Sequence, residues 1–165
     1  MQTWTFYSQH LTRVSRSFSF CIAQLKTPQR EWIALSYLLF RIADTIEDSK
    51  WNNQHAQFLA FEHFKHALKT PKNDDNLQLW PTIFPLEIPD SEKKLLNDLS
   101  LLLNDYHELP ISIKKQLLKN IDQMMSGMQY FLKHHSEKGE LVLTSLPLLN
   151  QYCFFVAGLV GELLT

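Results

Sequence analysis

The sequence is poor in several features that would give a function away early. It holds two cysteines, Cys21 and Cys153, each inside an apolar run and without CxxC spacing. A disulfide framework is therefore excluded, and both thiols are expected as small buried hydrophobes in a reducing compartment. No basic run exceeds the pairs Lys93-Lys94 and Lys114-Lys115, and the net charge is -1. A nucleic-acid interface needs a concentrated positive face, which is missing. Residues 1–20 carry Trp4 and Phe6 among polar residues, with no basic start leading into a continuous apolar core. No secretory leader is read, and the cytoplasm is the expected address. Asn-Gly and Asp-Gly pairs, sustained polar/apolar alternation and a fixed-period repeat are all lacking, which argues against hairpins and sheets and leaves an all-α fold.

What is present suits one globular domain: 165 residues, 45% hydrophobic and 20% charged, enough to bury a core. Ser15-Arg16-Ser17-Phe18-Ser19-Phe20 reads as a hydroxyl-rich break between an N-terminal turn or helix and a short apolar run ending at Leu25. Hydroxyls and an Arg at a helix start suit phosphate, or simply cap a helix with Arg16 exposed. Thr27-Pro28 places a capping hydroxyl before a proline at the first helical position, and a long helix is predicted from there to Asp48. A second amphipathic helix is predicted over Trp51–Leu68, with Phe58, Phe61, Phe64 and Leu68 inward. Prolines 71, 81, 85 and 89 and the polar run Lys72-Asn73-Asp74-Asp75-Asn76 mark a long loop over 70–90. A third helix runs from a cap at Asp90 or Ser91 to Glu108, with Leu95, Leu96, Leu99, Leu102, Leu103 and Tyr106 as its stripe. A fourth runs from Pro110 to His135, with Ile113, Leu117, Ile121, Met124, Met128, Phe131 and Leu132. Leu146–Leu164 is apolar apart from Asn150, Gln151 and Glu162, and reads better as a central buried helix than as a membrane span, which Pro147, Asn, Gln and Glu would interrupt. Its Ala157, Gly158 and Gly161 form a small-residue face for another helix or a bulky apolar ligand.

The candidate chemistry lies in the long helix. At about 100° per residue, Tyr37, Arg41, Asp44 and Asp48 fall within roughly 60° of arc. Ile33, Leu35, Leu38, Leu39, Phe40, Ile42, Ala43 and Ile46 cover the rest of the circumference. Burying unpaired carboxylates costs on the order of several kcal/mol each, so the line should face a polar cavity, a cation or a partner. Asp44 and Asp48 stand one turn apart with Glu47 to one side, a few oxygen donors that leave most coordination positions open. That suits Mg²⁺ shared with phosphate oxygens better than a closed zinc site. The bland alternative is an Arg41 to Asp44 and Asp48 ion-pair line on a solvated face. His55, His63, His66, His134 and His135 have no recognised ligand spacing and read as surface histidines. A cation cluster with Arg41 to take a diphosphate, beside an apolar helix to house a hydrocarbon, describes ionisation of an allylic diphosphate.

Four blocks, Val14-Ser15-Arg16-Ser17-Phe18, Leu39-Phe40-Arg41-Ile42-Ala43-Asp44-Thr45-Ile46-Glu47-Asp48, Met125-Ser126-Gly127-Met128 and Tyr152 through Gly161, resemble the squalene and phytoene synthase family in order and spacing. Thr45-Ile46-Glu47 and Leu159-Val160-Gly161 are more similar to squalene synthases than to phytoene synthases. The resemblance implies an all-α isoprenoid (terpenoid) synthase fold, of which 1–165 would be the N-terminal part of the helical bundle around a central cavity. It implies Mg²⁺-dependent head-to-head condensation of two farnesyl diphosphates to presqualene diphosphate, reduced to squalene with NADPH. Asp44, Glu47 and Asp48 match the first metal motif. Arg16 and Arg41 match arginines that contact diphosphate or NADPH phosphate, and Ser15, Ser17 and Phe18 match a flap. Tyr37 matches a cavity tyrosine, and Tyr152 matches the tyrosine that assists proton removal or steadies the cation. Val156 and Gly161 match positions beside the farnesyl chain. Peripheral association with the cytoplasmic membrane face is compatible with the resemblance.

The family's second Asp-rich motif has no counterpart here; Asp74-Asp75 lies in a loop, and Asp98 and Asp105 stand seven apart without a companion pattern. The expectation is one incomplete domain, inactive alone or in need of a complementing C-terminal half. Alternatives are a phytoene or dehydrosqualene synthase-type condensation, a non-catalytic prenyl-diphosphate-binding remnant or assembly factor, and a small membrane protein anchored by Leu146–Leu164.

Overall fold

The computed structural model describes residues 1–70, 80, 82–137 and 140–164. Its helices are α1 (Trp4–Val14), α2 (Arg16–Ala23), α3 (Gln29–Asp48), α4 (Gln54–Lys69), α5 (Asp90–Asn97), α6 (Leu99–Glu108), α7 (Ile111–His134), α8 (Leu146–Cys153) and α9 (Leu159–Leu164). A π-helical turn, Phe154–Gly158, joins α8 to α9. The fold is all-α. The small exception is an antiparallel ladder pairing Ser136 with Leu141 and Glu137 with Glu140, too short for any alternation to announce it.

Helix α3 is the hub, packing against α1, α2, α4, α5, α6, α7 and α9. Ala34, Leu35, Leu38, Leu39, Ile42, Ala43 and Ile46 are fully buried on it. Each large side chain among them contributes roughly 1.5–3 kcal/mol by leaving water. The predicted stripes of α4, α5, α6 and α7 converge on it: Phe61, Phe64 and Leu68, then Leu95, Leu96, Leu99, Leu102, Leu103 and Tyr106, then Leu117, Ile121, Met124, Met128, Phe131 and Leu132, are all buried. Phe58 and Ile113 are partly so. The end of α3 is held by side chains from beyond it. Gln57 Nε2 donates to the carbonyls of Ile46 at 3.0 Å and Glu47 at 2.9 Å, and Trp51 Nε1 to Ile46 at 2.8 Å, satisfying carbonyls that a helix end leaves without partners.

Several sequence expectations give way. The predicted third helix is two helices, divided at Asp98, and Pro89 rather than Asp90 or Ser91 precedes it without a side-chain cap. The hydroxyl-rich break shrinks to Ser15, because Arg16–Phe20 are helical. The Thr27 hydroxyl donates to Glu31 Oε1 at 3.3 Å instead of capping α3, and α4 begins at Gln54, where Asn53 Oδ1 accepts from the Ala56 amide at 2.8 Å. Much of the expected 70–90 loop, with Asp74-Asp75, lies outside the described residues; within the rest, Trp80, Phe84 and Ile88 are buried.

The largest correction concerns Leu146–Leu164. In place of a central buried helix, the segment lies along α7 with Leu159 as the one buried side chain described in it, while Leu146, Leu149 and Phe154 are exposed. The small-residue face does not receive a neighbouring helix: Ala157 is exposed, and a Cβ at Gly161 would meet nothing within 4 Å. Close approach occurs at Gly127 instead, where a Cβ would run into the Phe155 ring. Cys21 and Cys153 are likewise exposed, because α2 and the C-terminal segment turn part of their apolar surface outward. Among the described residues no helix is long and apolar enough to cross a membrane.

Candidate active site

The polar line on α3 forms as the periodicity predicts. Asp48 is exposed and Tyr37, Arg41, Asp44 and Glu47 half-buried, while the intervening residues from Leu38 to Ile46 are buried. Cavities open beside it. One of about 920 Å³ is lined by Glu47, Asp48, Lys50, Gln57, Leu132 and Tyr152 among others. A second, of about 250 Å³, shares Asp48, Ser49 and Lys50 with the first and is lined also by Arg41, Thr45, Glu87 and Glu92. A third, of about 280 Å³, is apolar and is walled by Phe18, Ile22, Leu25, Ile33, Phe40 and Val160, with Tyr37.

The carboxylates are held in an environment that resists their charge. Burial raises Asp44 to about 7, with Asp48 and Glu92 adding to the rise and Arg41 opposing it. Burial raises Glu47 to about 8, helped by Asp48 and Asp44 and opposed by the hydrogen bond from Tyr152. Asp48, though its side chain reaches solvent, is raised as well by the partial desolvation of its carboxylate and by Glu92, with Arg41 opposing. Like charges gathered at low dielectric favour protons or a cation. Tyr152, on α8, reaches the same place: its hydroxyl donates to Glu47 Oε1 at 3.3 Å, and its ring packs edge-on against Phe131 with centroids 5.3 Å apart. Burial and the neighbouring acids push its phenol further up, so it stays protonated.

The ion-pair alternative for this line is met only in part. Arg41 Nη1 is 3.8 Å from Asp44, but its principal partner belongs to α5: Nε and Nη2 donate to Glu92 Oε1 at 3.1 and 2.9 Å. Glu92 Oε2 lies 3.0 Å from the Thr45 hydroxyl, which is also 2.8 Å from the Arg41 carbonyl. Glu92 is 4% exposed, and sequence reasoning missed it. A usable signal existed, since Glu92 precedes Leu95 and Leu96 by three and four residues and so shares their buried face.

Other expected site residues are placed as follows. Phe18 meets Tyr37, with ring centroids 4.9 Å apart, joining the α2 block to the α3 line at the apolar cavity. Ser15 is half-buried, while Arg16 and Ser17 are exposed at the start of α2. Val156 is half-buried in the π turn and Gly161 exposed in α9; Val160 is the member of that block that lines the apolar cavity. His55, His63, His66 and His134 are exposed and His135 half-buried.

Among the described residues no three His, Cys, Asp or Glu side chains enclose a metal position. By chemical type the donors suit a hard divalent cation approached from one side, although as placed they do not converge on one position. Asp44, Glu47 and Asp48 are oxygen donors on one helix wall, destabilised as bare anions, and the cavities beside them leave room for water and phosphate oxygens to fill the other positions.

A family model described as squalene/phytoene synthase matches residues 11–165. The chain is 29% identical over 160 residues to the squalene synthase of Eremothecium gossypii and 28% identical over 158 residues to squalene synthase ERG9 of Saccharomyces cerevisiae. These alignments cover 95% and 94% of this chain but 34% and 33% of those proteins, so the chain spans about a third of the length of the curated relatives it matches. A solved structure of TcSQS with the ligand E5700 superimposes with a TM-score of 0.76 and 25% identity, covering 98% of this chain and 42% of that one. Sequence and architecture agree over nearly the whole chain, and it belongs to the squalene/phytoene synthase family.

Proposed function

We propose that this chain carries the diphosphate-ionising wall of a Mg²⁺-dependent prenyltransferase that condenses two farnesyl diphosphates head to head, giving presqualene diphosphate and, with NADPH, squalene. The observation that carries the reading is the meeting of Tyr152 with Glu47 at 3.3 Å, 105 residues apart in sequence, on the wall of the cavity of about 920 Å³. Asp44, Glu47 and Asp48 would hold Mg²⁺. Bound there, the cation would stabilise the negative charge of a departing diphosphate. Arg41 supplies further positive charge next to Asp44. Phe18, Tyr37, Phe40 and Val160 keep water from the hydrocarbon end, where an allylic cation would otherwise be captured. Tyr152 presents its hydroxyl proton to Glu47, so it orients that carboxylate and offers a neutral oxygen to positive charge.

Because the acidic donors stand on one helix, the reading expects binding without robust turnover from residues 1–165 alone, and turnover when a second acidic helix completes the clamp. Part of this reading is a cytoplasmic address, at most peripheral on the membrane face, for an enzyme whose product is a hydrocarbon. Calorimetric titration with a non-ionisable farnesyl thiodiphosphate tests it: binding should need Mg²⁺ and vanish in Asp44→Asn/Asp48→Asn. Equal binding in the presence of a chelator would overturn the metal role. Assembly with NADPH and a complementing segment that yields phytoene-type products instead would shift the product class.

A further inference from the structure

Arg41 is half-buried beside three carboxylates, and a side chain so placed has two ways to settle. It can fold back along its own helix onto Asp44, three residues on, or be drawn across to α5. Helix α5 decides the matter. Its first turn begins at Asp90, and Glu92 enters the interior there because Leu95 and Leu96, one turn on, pack into the core. An acid in the first turn is also favoured by the helix dipole.

Glu92 grips Arg41 by one edge of its fork. Oε1 takes both Nε and Nη2, at 3.1 and 2.9 Å. The other carboxylate oxygen lies 3.0 Å from the Thr45 hydroxyl, whose single proton is shared with the Arg41 carbonyl at 2.8 Å, a second contact that restricts the swing of Glu92. A guanidinium has five N–H groups, and two are used by Glu92. The Nη1 end, 3.8 Å from Asp44, keeps its donors available next to the acidic line.

From this geometry we infer that Glu92 is a positioning residue for anion recognition: it holds Arg41 edge-on so that the Nη1 end addresses a diphosphate at Asp44 and Asp48. The inference rests on the diphosphate-binding reading above and adds to it a residue from a different helix. The cost is explicit. A buried negative charge beside an anion site repels the anion, so Glu92 earns its place only if orienting Arg41 outweighs that repulsion.

That opposition gives a test with a sign. Removing the charge in Glu92→Gln should strengthen pyrophosphate binding if Glu92 merely ties α5 to α3, because a nearby negative charge has gone. Loss of orientation should weaken it, by about tenfold, the scale on which partners of binding groups act. The full 165-residue chain is titrated calorimetrically with inorganic pyrophosphate at saturating Mg²⁺, with helical circular dichroism and melting recorded for each variant. Glu62→Gln, on the surface of α4, serves as a remote charge control.

The expected result is weaker pyrophosphate binding in Glu92→Gln, unchanged binding in Glu62→Gln, and no further loss when Glu92→Gln is added to Arg41→Gln. Tighter or unchanged binding in a folded Glu92→Gln chain overturns the inference and leaves the diphosphate reading standing. Should Glu92→Gln fail to fold, Glu92→Asp, which keeps the charge but shortens the reach, replaces it: weaker binding supports the positioning role, and wild-type binding overturns it. A wild-type chain that takes up no pyrophosphate overturns the underlying reading, and the inference with it.

Discussion

The Tyr152 hydroxyl donates to Glu47 Oε1 across 3.3 Å, and through this bond the C-terminal segment meets the end of the hub helix. A phenol that burial and nearby acids keep protonated acts as a donor, and Glu47 is the acceptor it finds. Tyr152→Phe removes the bond while preserving the ring contact with Phe131. A partly buried hydrogen bond to a carboxyl contributes about 1 kcal/mol, so urea unfolding of the metal-free variant should show a loss of that order. No change in midpoint would mean that solvent already satisfies both groups.

Metal dependence should run opposite to metal-free stability at Asp44. Its folded pKa, about 7, lies above the ordinary aspartate value of 3.8. Between those values the folded state holds more protons than the unfolded one, so wild-type stability falls as pH rises through that window. Asp44→Asn lacks this loss, and at pH 8 without metal it should melt above wild type. With Mg²⁺ and pyrophosphate the order should reverse: ligand at 100 times its Kd stabilises a folded protein by about 2.7 kcal/mol, and the variant should gain little. Equal gains in both proteins would place the metal elsewhere.

A second pH effect has the other sign. His10, on α1, pairs through Nε2 with Asp98 at 3.0 Å, and among the described residues its buried Nδ1 meets no hydrogen-bond partner. Burial pulls its pKa below the ordinary histidine value of 6.5, outweighing the raising effect of Asp98, and Arg13 adds to the fall. Below 6.5 the unfolded chain takes up the proton first, so stability drops as pH falls from there toward the folded value. His10→Phe, which keeps a ring against Phe6, should flatten this slope. The check is urea midpoints for both proteins from pH 7.5 to 5; parallel profiles would exclude His10 as the source.

The hub helix and its line were legible because one short-range regularity, apolar residues at helical spacing, determines both which face is buried and which side chains are left over. The same regularity identified the stripes of α4 to α7. It could not reveal Glu92, whose meaning depends on a partner 51 residues away, although its register with Leu95 placed it inward. It also misjudged Leu146–Leu164, since the apolarity of a segment does not say what covers it. Cys153 and Phe154 are exposed on a segment whose composition alone argued for burial. The sequence offers Ala157, Gly158 and Gly161 within that segment as the small-residue face, whereas the close contact falls on the receiving helix at Gly127.

That glycine supplies the last prediction. A methyl group at Gly127 would occupy space held by the Phe155 ring, and Phe155 sits in the π turn that joins α8 to α9. Overpacking of this kind typically costs about 1–3 kcal/mol. The C-terminal segment is anchored otherwise by Leu159, by the bond from Asn120 Nδ2 to the Leu159 carbonyl at 3.0 Å, and by Tyr152. Gly127→Ala should therefore loosen the segment before it unfolds the core. Amide exchange should accelerate across α8 and α9 and remain near wild type in α3 and α4, and Mg²⁺-dependent ligand binding should weaken as Tyr152 leaves Glu47. Restoring the space with Phe155→Ala in the same chain should recover slow exchange in α9 but not the full stability, because the ring's burial is lost. Uniform acceleration throughout the chain would show that Gly127 supports the global fold rather than the docking of the tyrosine segment.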